Sequence, residues 1–180
     1  MLYSYAACIK KFGTDYKLKK ALCNEELFQI EKGIYSDRKR ISELGLITFK
    51  YPFAIFTLES AFYYHGLTDT IPDLYVMNTD RNAPKIKDKR VKQYFCEEKL
   101  LGIGRTMLNY QDIQIPIYNL ERMVIELVRY RNKLPYDYYK EVVRSLRNRI
   151  NTMDLEKLQG YIPLFPVKGK IQNIIAEEIL

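Results

Sequence analysis

The chain has 180 residues, with 29 Lys and Arg against 22 Asp and Glu, a formal net charge of +7 and one histidine. Its 47% hydrophobic and 28% charged content is that of a folded globular protein rather than a disordered one, and its length suits one ordinary domain or one domain with a small appendage. No stretch approaches the roughly 18 apolar residues that a membrane span needs. Lys10 and Lys11 follow the apolar start instead of preceding it, unlike a secretory leader. Cys8, Cys23 and Cys96 are odd in number and widely spaced, which argues against a disulfide framework or a CxxC zinc site. A reducing, cytoplasmic setting is expected.

Leu2 to Phe12 reads as a short helix, stopped by Gly13 because glycine accepts the left-handed conformation of a helix end. Thr14 is the expected cap of a second helix running to about Asn24, with Leu18, Ala21 and Leu22 on its apolar face. Leu27 to Ile30 alternates like a half-buried strand, Lys32-Gly33 makes a turn, and Ile34-Tyr35 begins the return strand. Helix, tight turn, basic helix and hairpin make up the second half of a winged helix-turn-helix, whose second helix enters the DNA major groove. The composition shifts at Ser36-Asp37-Arg38-Lys39-Arg40, which sets the expected boundary: a DNA-binding module over 1–37 and a mixed α+β domain over 38–180. Within the latter, Thr57 should cap a helix through Tyr64 that ends at Gly66. Leu74 to Met77 and Val91 to Cys96 read as strands, and Ile113, Ile115 and Ile117 as another, with Pro116 hinting at an edge position. Leu120, Met123, Val124, Leu127 and Val128 keep helical spacing, as do Tyr139, Val142, Val143 and Leu146, and then Ile171, Ile174, Ile175 and Ile179. Strands in the middle and helices at the end predict an α+β fold.

The cations are clustered. Lys10, Lys11, Lys17, Lys19 and Lys20 face only Asp15, and Arg81, Lys85, Lys87, Lys89, Arg90 and Lys92 face only Asp88. A third group runs from Arg129 to Arg149, in which Lys140, Arg144 and Arg147 lie opposite the apolar stripe of their helix. Such clusters suit a polyanion, because each neutralised phosphate releases condensed counterions; they equally suit solvated helix faces. The DNA-binding candidates are Lys10, Lys11, Tyr16, Lys17, Lys19 and Lys20, with Arg144 and Arg147 as a second face. No arginine precedes Arg38. Lysine is a point charge suited to phosphate, whereas bidentate reading of guanine favours arginine, so backbone contacts should dominate in the first module.

Three ordered pieces resemble the AbiEi family of abortive-infection antitoxins. "LFQIEKGIY", Leu27 to Tyr35, is similar to the family's wing; "TLESAFYYHGLTD", Thr57 to Asp69, to its Ser-Ala…His-Gly-Leu helix and turn; and "IYNLERMVIELVRYRNKL", Ile117 to Leu134, to its Leu-Glu-Arg helix. Two positions depart from the family pattern: Met123 stands where Thr is common after Glu-Arg, and Glu126 where Asp is common. The resemblance implies an antitoxin and transcriptional regulator of a type IV toxin–antitoxin system, without enzymatic activity or cofactor. The winged helix would bind operator DNA and repress its own operon, with a homodimer on DNA as one source of specificity. The second domain would counteract a nucleotidyltransferase-like toxin, direct contact between the two not being required.

Other motifs carry weaker chemistry. Pro72-Asp73 followed by Glu97-Glu98-Lys99 spells the PD…ExK pattern of metal-dependent nucleases, which requires both carboxylates to converge on one magnesium ion. A protein-binding adaptor that no longer touches DNA is a third reading. Gly102-Ile103-Gly104-Arg105 lacks the ending of a phosphate loop. His65 is expected as a hydrogen-bonded helix-end residue, and Glu121-Arg122 as an ion-paired helix start.

Overall fold

A computed structural model describes residues 1–180. They form two compact units, Met1–Tyr51 and Pro52–Leu180, each built from helices and a sheet.

In the first unit, β1 (Leu2–Ser4) precedes α1 (Tyr5–Phe12), α2 (Asp15–Cys23), β2 (Phe28–Glu31), β3 (Ile34–Ser36) and α3 (Glu43–Lys50). The single helix expected over Leu2 to Phe12 is divided. Ser4 caps α1 through a bond from the Ala7 amide at 3.2 Å, and Leu2 and Tyr3 pair with Ser36 and Tyr35 instead. Helical propensity in so short a stretch is outweighed by a third strand's ladder, giving an antiparallel sheet of order β1-β3-β2. Gly13 lies at φ +86° and donates to the Ile9 carbonyl at 2.7 Å, which closes α1 and turns the chain into α2. Thr14 caps α2 from the Lys17 amide, as its position implied. Cys8, Leu18, Ala21, Leu27 and Tyr35 form the core, flanked by Tyr3, Ile9, Phe12 and Leu22. The composition shift at residues 36–40 does not end this unit. The chain continues into α3, and Lys50 Nζ sits 2.7 Å from Glu31 Oε2 on β2. The expected boundary after residue 37 therefore falls inside the unit.

The second unit contains β4 (Ile55–Phe56), α4 (Leu58–Tyr64), β5 (Tyr75–Asp80), β6 (Val91–Cys96), α5 (Glu98–Leu101), β7 (Arg105–Tyr110), β8 (Ile113–Tyr118) and α6 (Leu120–Tyr130). It ends in helices α7 (Tyr136–Asn148), α8 (Leu155–Tyr161) and α9 (Lys168–Glu178). The sheet order is β6-β5-β4-β8-β7. β4 runs parallel to β8 and antiparallel to β5, β5 and β6 are parallel, and β7 and β8 form an antiparallel hairpin. Pro116 thus lies in an interior strand, not at an edge. It is tolerated because β4 is only two residues long and meets β8 at the single register position Phe56–Ile117. Thr57 occupies the cap position of α4, but Leu58 departs from helical geometry at φ +44° and the Thr57 hydroxyl caps no amide.

Helix α6 lies at the centre of the second unit. Every residue from Glu121 to Val128 is buried, so the helix is covered on all sides rather than amphipathic at a surface. Tyr139, Val142, Val143 and Leu146 of α7 and Ile171, Ile174 and Ile175 of α9 are buried as their spacing predicted. No helix is long and apolar enough to cross a membrane.

Candidate nucleic-acid interface

Helix α2 buries Leu18 and Ala21, and the 3.6-residue period carries Tyr16, Lys19 and Lys20 to the opposite side, with Lys17 on its flank. All four are exposed, Tyr16 at 76%. Lys19 is partly neutralised: its ammonium lies 2.8 Å from Asp15 Oδ2, one turn earlier, and this hydrogen bond lowers the carboxyl's pKa and raises the lysine's. Lys17 and Lys20 carry no such partner. On α1, Lys10 is exposed and Lys11 is drawn over the rings of Tyr3 and Phe12, at 5.0 and 5.5 Å from their centroids. The unit therefore displays its lysines on rigid helices backed by one small core. Sequence reasoning missed one further cation, Lys32, which is exposed in the two-residue turn between β2 and β3. The Lys-Gly turn itself was the signal, since a hairpin of that length projects its first turn residue from the tip. Arg38, Lys39 and Arg40 are also exposed in this unit.

The arginine stripe of α7 resolves differently. Arg144 and Arg147 are both exposed, but Arg147 Nε donates to the Glu178 carbonyl at the end of α9, at 2.8 Å. Its neighbours in the basic group are similarly engaged. Arg131 pairs with the Glu178 carboxylate at 3.1 Å, and Arg149 donates to the His65 and Gly66 carbonyls at 2.5 and 2.8 Å. Arg129 pairs with Glu126 at 2.7 Å and lies 5.2 Å from the Phe165 ring centroid. Arg131, Arg147 and Arg149 thus fasten a helix end and a turn, and Arg129 pairs within α6. Lys133 and Lys140 lie over the Tyr130 and Tyr136 rings at 5.0 and 5.5 Å, and Arg144 is exposed.

The nuclease pattern does not assemble. β5 and β6 run parallel, from Tyr75–Val91 to Asp80–Cys96 in register. Asp73 precedes the start of this pair and Glu97 follows its end, so the two are separated by about 20 Å of strand. Glu97 is instead paired with Lys99 at 3.0 Å, and no group of three metal-ligating side chains forms anywhere in the chain.

Three of the remaining motifs belong to one buried arrangement around α6. Arg122 is completely buried, with its guanidinium between the Tyr118 and Phe165 rings at 4.5 and 4.4 Å from the centroids. It donates to the Leu100 and Ile103 carbonyls at 2.8 and 3.2 Å and to Glu126 Oε1 at 2.8 Å. The Gly102–Gly104 segment is therefore the receptor of an arginine, not of a phosphate. Gly104 has φ +74°, and a Cβ there would stand 2.5 Å from Arg122 Cβ. Glu121 accepts from the Asp154 amide at 3.0 Å. His65, at the end of α4, donates through Nε2 to the Tyr118 carbonyl at 2.6 Å, the helix-end role expected of it. Burial lowers its pKa, and nearby Arg149 does so further. The Ser60-Ala61 pair of the second landmark is also structural. Both residues are fully buried, and Ser60 Oγ accepts from the Val76 amide at 2.8 Å, which locks α4 to β5.

The sequence matches no protein-family model and no curated protein. Among solved structures it is similar to the crystal structure of RV2827C protein from Mycobacterium tuberculosis, with a TM-score of 0.67 and 12% sequence identity over 99% of this chain and 72% of that one. At that identity the likeness concerns the fold alone.

Proposed function

We propose that the protein is a DNA-binding regulator of antitoxin type, related to the AbiEi family, and that it acts by binding rather than by catalysis. The first unit would serve as a short winged helix-turn-helix, with α2 in the major groove and the β2–β3 hairpin as the wing carrying Lys32. The observation that carries this reading is the outer face of α2: Tyr16, Lys17, Lys19 and Lys20 stand exposed on a helix fixed by Leu18 and Ala21, with Asp15 the only carboxylate on that helix. The β1-α1-α2-β2-β3 order and the β1-β3-β2 sheet supply the helix pair and hairpin that such a module needs. The family landmarks also overlap regular elements: Leu27–Tyr35 the hairpin, Thr57–Asp69 α4 and its Gly66 turn, and Ile117–Leu134 the end of β8 and α6. The second unit would counteract a nucleotidyltransferase-like toxin.

The lysine face predicts phosphate contact in the main. Lys17→Glu with Lys20→Glu should weaken binding to DNA from upstream of the protein's own gene, and titration at several salt concentrations measures it. Unchanged affinity of the double variant removes the assignment of α2. Co-expression with the neighbouring gene tests the antitoxin role, since relief of growth arrest is required of it.

A further inference from the structure

We propose that the free edge of β7 is a self-association surface, on which two copies of the chain pair antiparallel about a two-fold axis at Met107, joining their five-stranded sheets. This inference is independent of the DNA-binding reading. β7 is the last strand of its sheet. Its partner β8 is reached through the two-residue turn Gln111–Asp112, both at positive φ (49° and 63°), with Tyr110 opposite Ile113. In such a hairpin the pair next to the turn exchanges both main-chain bonds, and alternate pairs do the same. Tyr110, Leu108 and Thr106 therefore bond inward to β8, whereas Asn109, Met107 and Arg105 direct their N–H and C=O groups away from the sheet. That outward set is symmetric about Met107.

A two-fold axis at Met107 places Met107 opposite the partner's Met107 and Arg105 opposite the partner's Asn109. Arg105 already gives its N–H to the Gly102 carbonyl at 3.2 Å, so the pairing makes four main-chain bonds. Two join the Met107 residues, and each Asn109 N–H reaches the partner's Arg105 carbonyl. The register sets the only charge on the strand against a neutral amide, whereas a shift centred on Arg105 would oppose two guanidinium groups. It also covers the Met107 side chain, which is 54% exposed. β7 has no proline, bulge or lysine to protect its edge, and its one charge, Arg105, with the Gly102 carbonyl on its N–H, guards only the end of the strand. The other edge strand, β6, is protected. Its Lys92 pairs with Glu59 at 3.2 Å, and the preceding loop is fastened to Gln93 by the Ile86 amide (2.8 Å) and the Pro84 carbonyl (3.2 Å).

The test uses the full chain in sedimentation equilibrium over a concentration series. Wild type should dimerise. Met107→Pro should be monomeric with an unchanged circular dichroism spectrum, because the amide it removes points away from β8. If proline disturbs the fold, Met107→Lys sets two ammonium groups against each other and should give the same monomer. In a Cys23→Ser background, mild oxidation should link Met107→Cys into a covalent dimer, since directly opposed bonded residues lie at a Cα separation of about 5.5 Å, but should not link Asn109→Cys, which faces a different residue. A wild-type monomer throughout, a dimer that survives both Met107 substitutions, or linkage through Asn109→Cys would each overturn the proposal.

Discussion

Arg122 is tolerated at zero exposure because its guanidinium meets two carbonyls, one carboxylate and two aromatic faces. Its pairing with Glu126 runs in the less favourable direction for an isolated helix, cation before anion, so the tertiary setting holds it rather than helix propensity. Arg122→Ala should destabilise the protein by about 3–5 kcal/mol in urea titration, since it strands the buried Glu126 and two carbonyls. Replacing both Arg122 and Glu126 with Leu should recover much of that loss. A second prediction concerns His65. Its folded pKa is depressed, first by burial and then by Arg149, below the ordinary value of 6.5. On acidification the unfolded chain takes up this proton before the folded one does. Its contribution to stability is therefore complete above about pH 6.5 and is lost as pH falls from there toward the depressed folded value. Thermal melting from pH 7.5 to 5 should show the loss, and His65→Gln should flatten the profile over that window.

At the level of elements, short segments were decided by what they meet. Leu2–Ser4 runs straight into a helix in sequence, yet forms a strand because β3 offers it a partner. Pro116 reads as an edge signal from its missing donor, yet its strand is interior because the adjoining strand β4 is so short. The α5–β7 connection shows the same dependence at a turn. Gly104 combines a positive φ with the close approach of Arg122, so Gly104→Ala should cost about 2–3 kcal/mol, measured by chemical denaturation, through a clash in a well-packed interior.

For the whole molecule, the net charge of +7 separates into cations that hold the structure together and cations left exposed. Arg129, Arg131, Arg147 and Arg149 belong to the first kind, and Lys17, Lys20, Lys32 and the Arg38–Arg40 run to the second. If α2 binds DNA through phosphates, its lysines also set the salt dependence of binding. Loss of Lys17 and Lys20 should lower the slope of log affinity against log salt by about 2, roughly one for each phosphate contact. A loss of affinity with an unchanged slope would indicate base contacts instead.

The sequence by itself determined the α+β class, the capped helix α2 with its lysine face, the Lys-Gly hairpin and the long helices, because spacing, capping residues and turn glycines act within a few residues of one another. It also located His65 correctly at a helix end. Only the tertiary structure decided that Arg122 is buried, that four arginines of the Arg129–Arg149 group are engaged within the fold, that Asp73 and Glu97 stand at opposite ends of a parallel strand pair, and that the first unit continues through α3. Each of these depends on which distant segment lies alongside, and that is set by burial and strand pairing across dozens of residues rather than by local pattern.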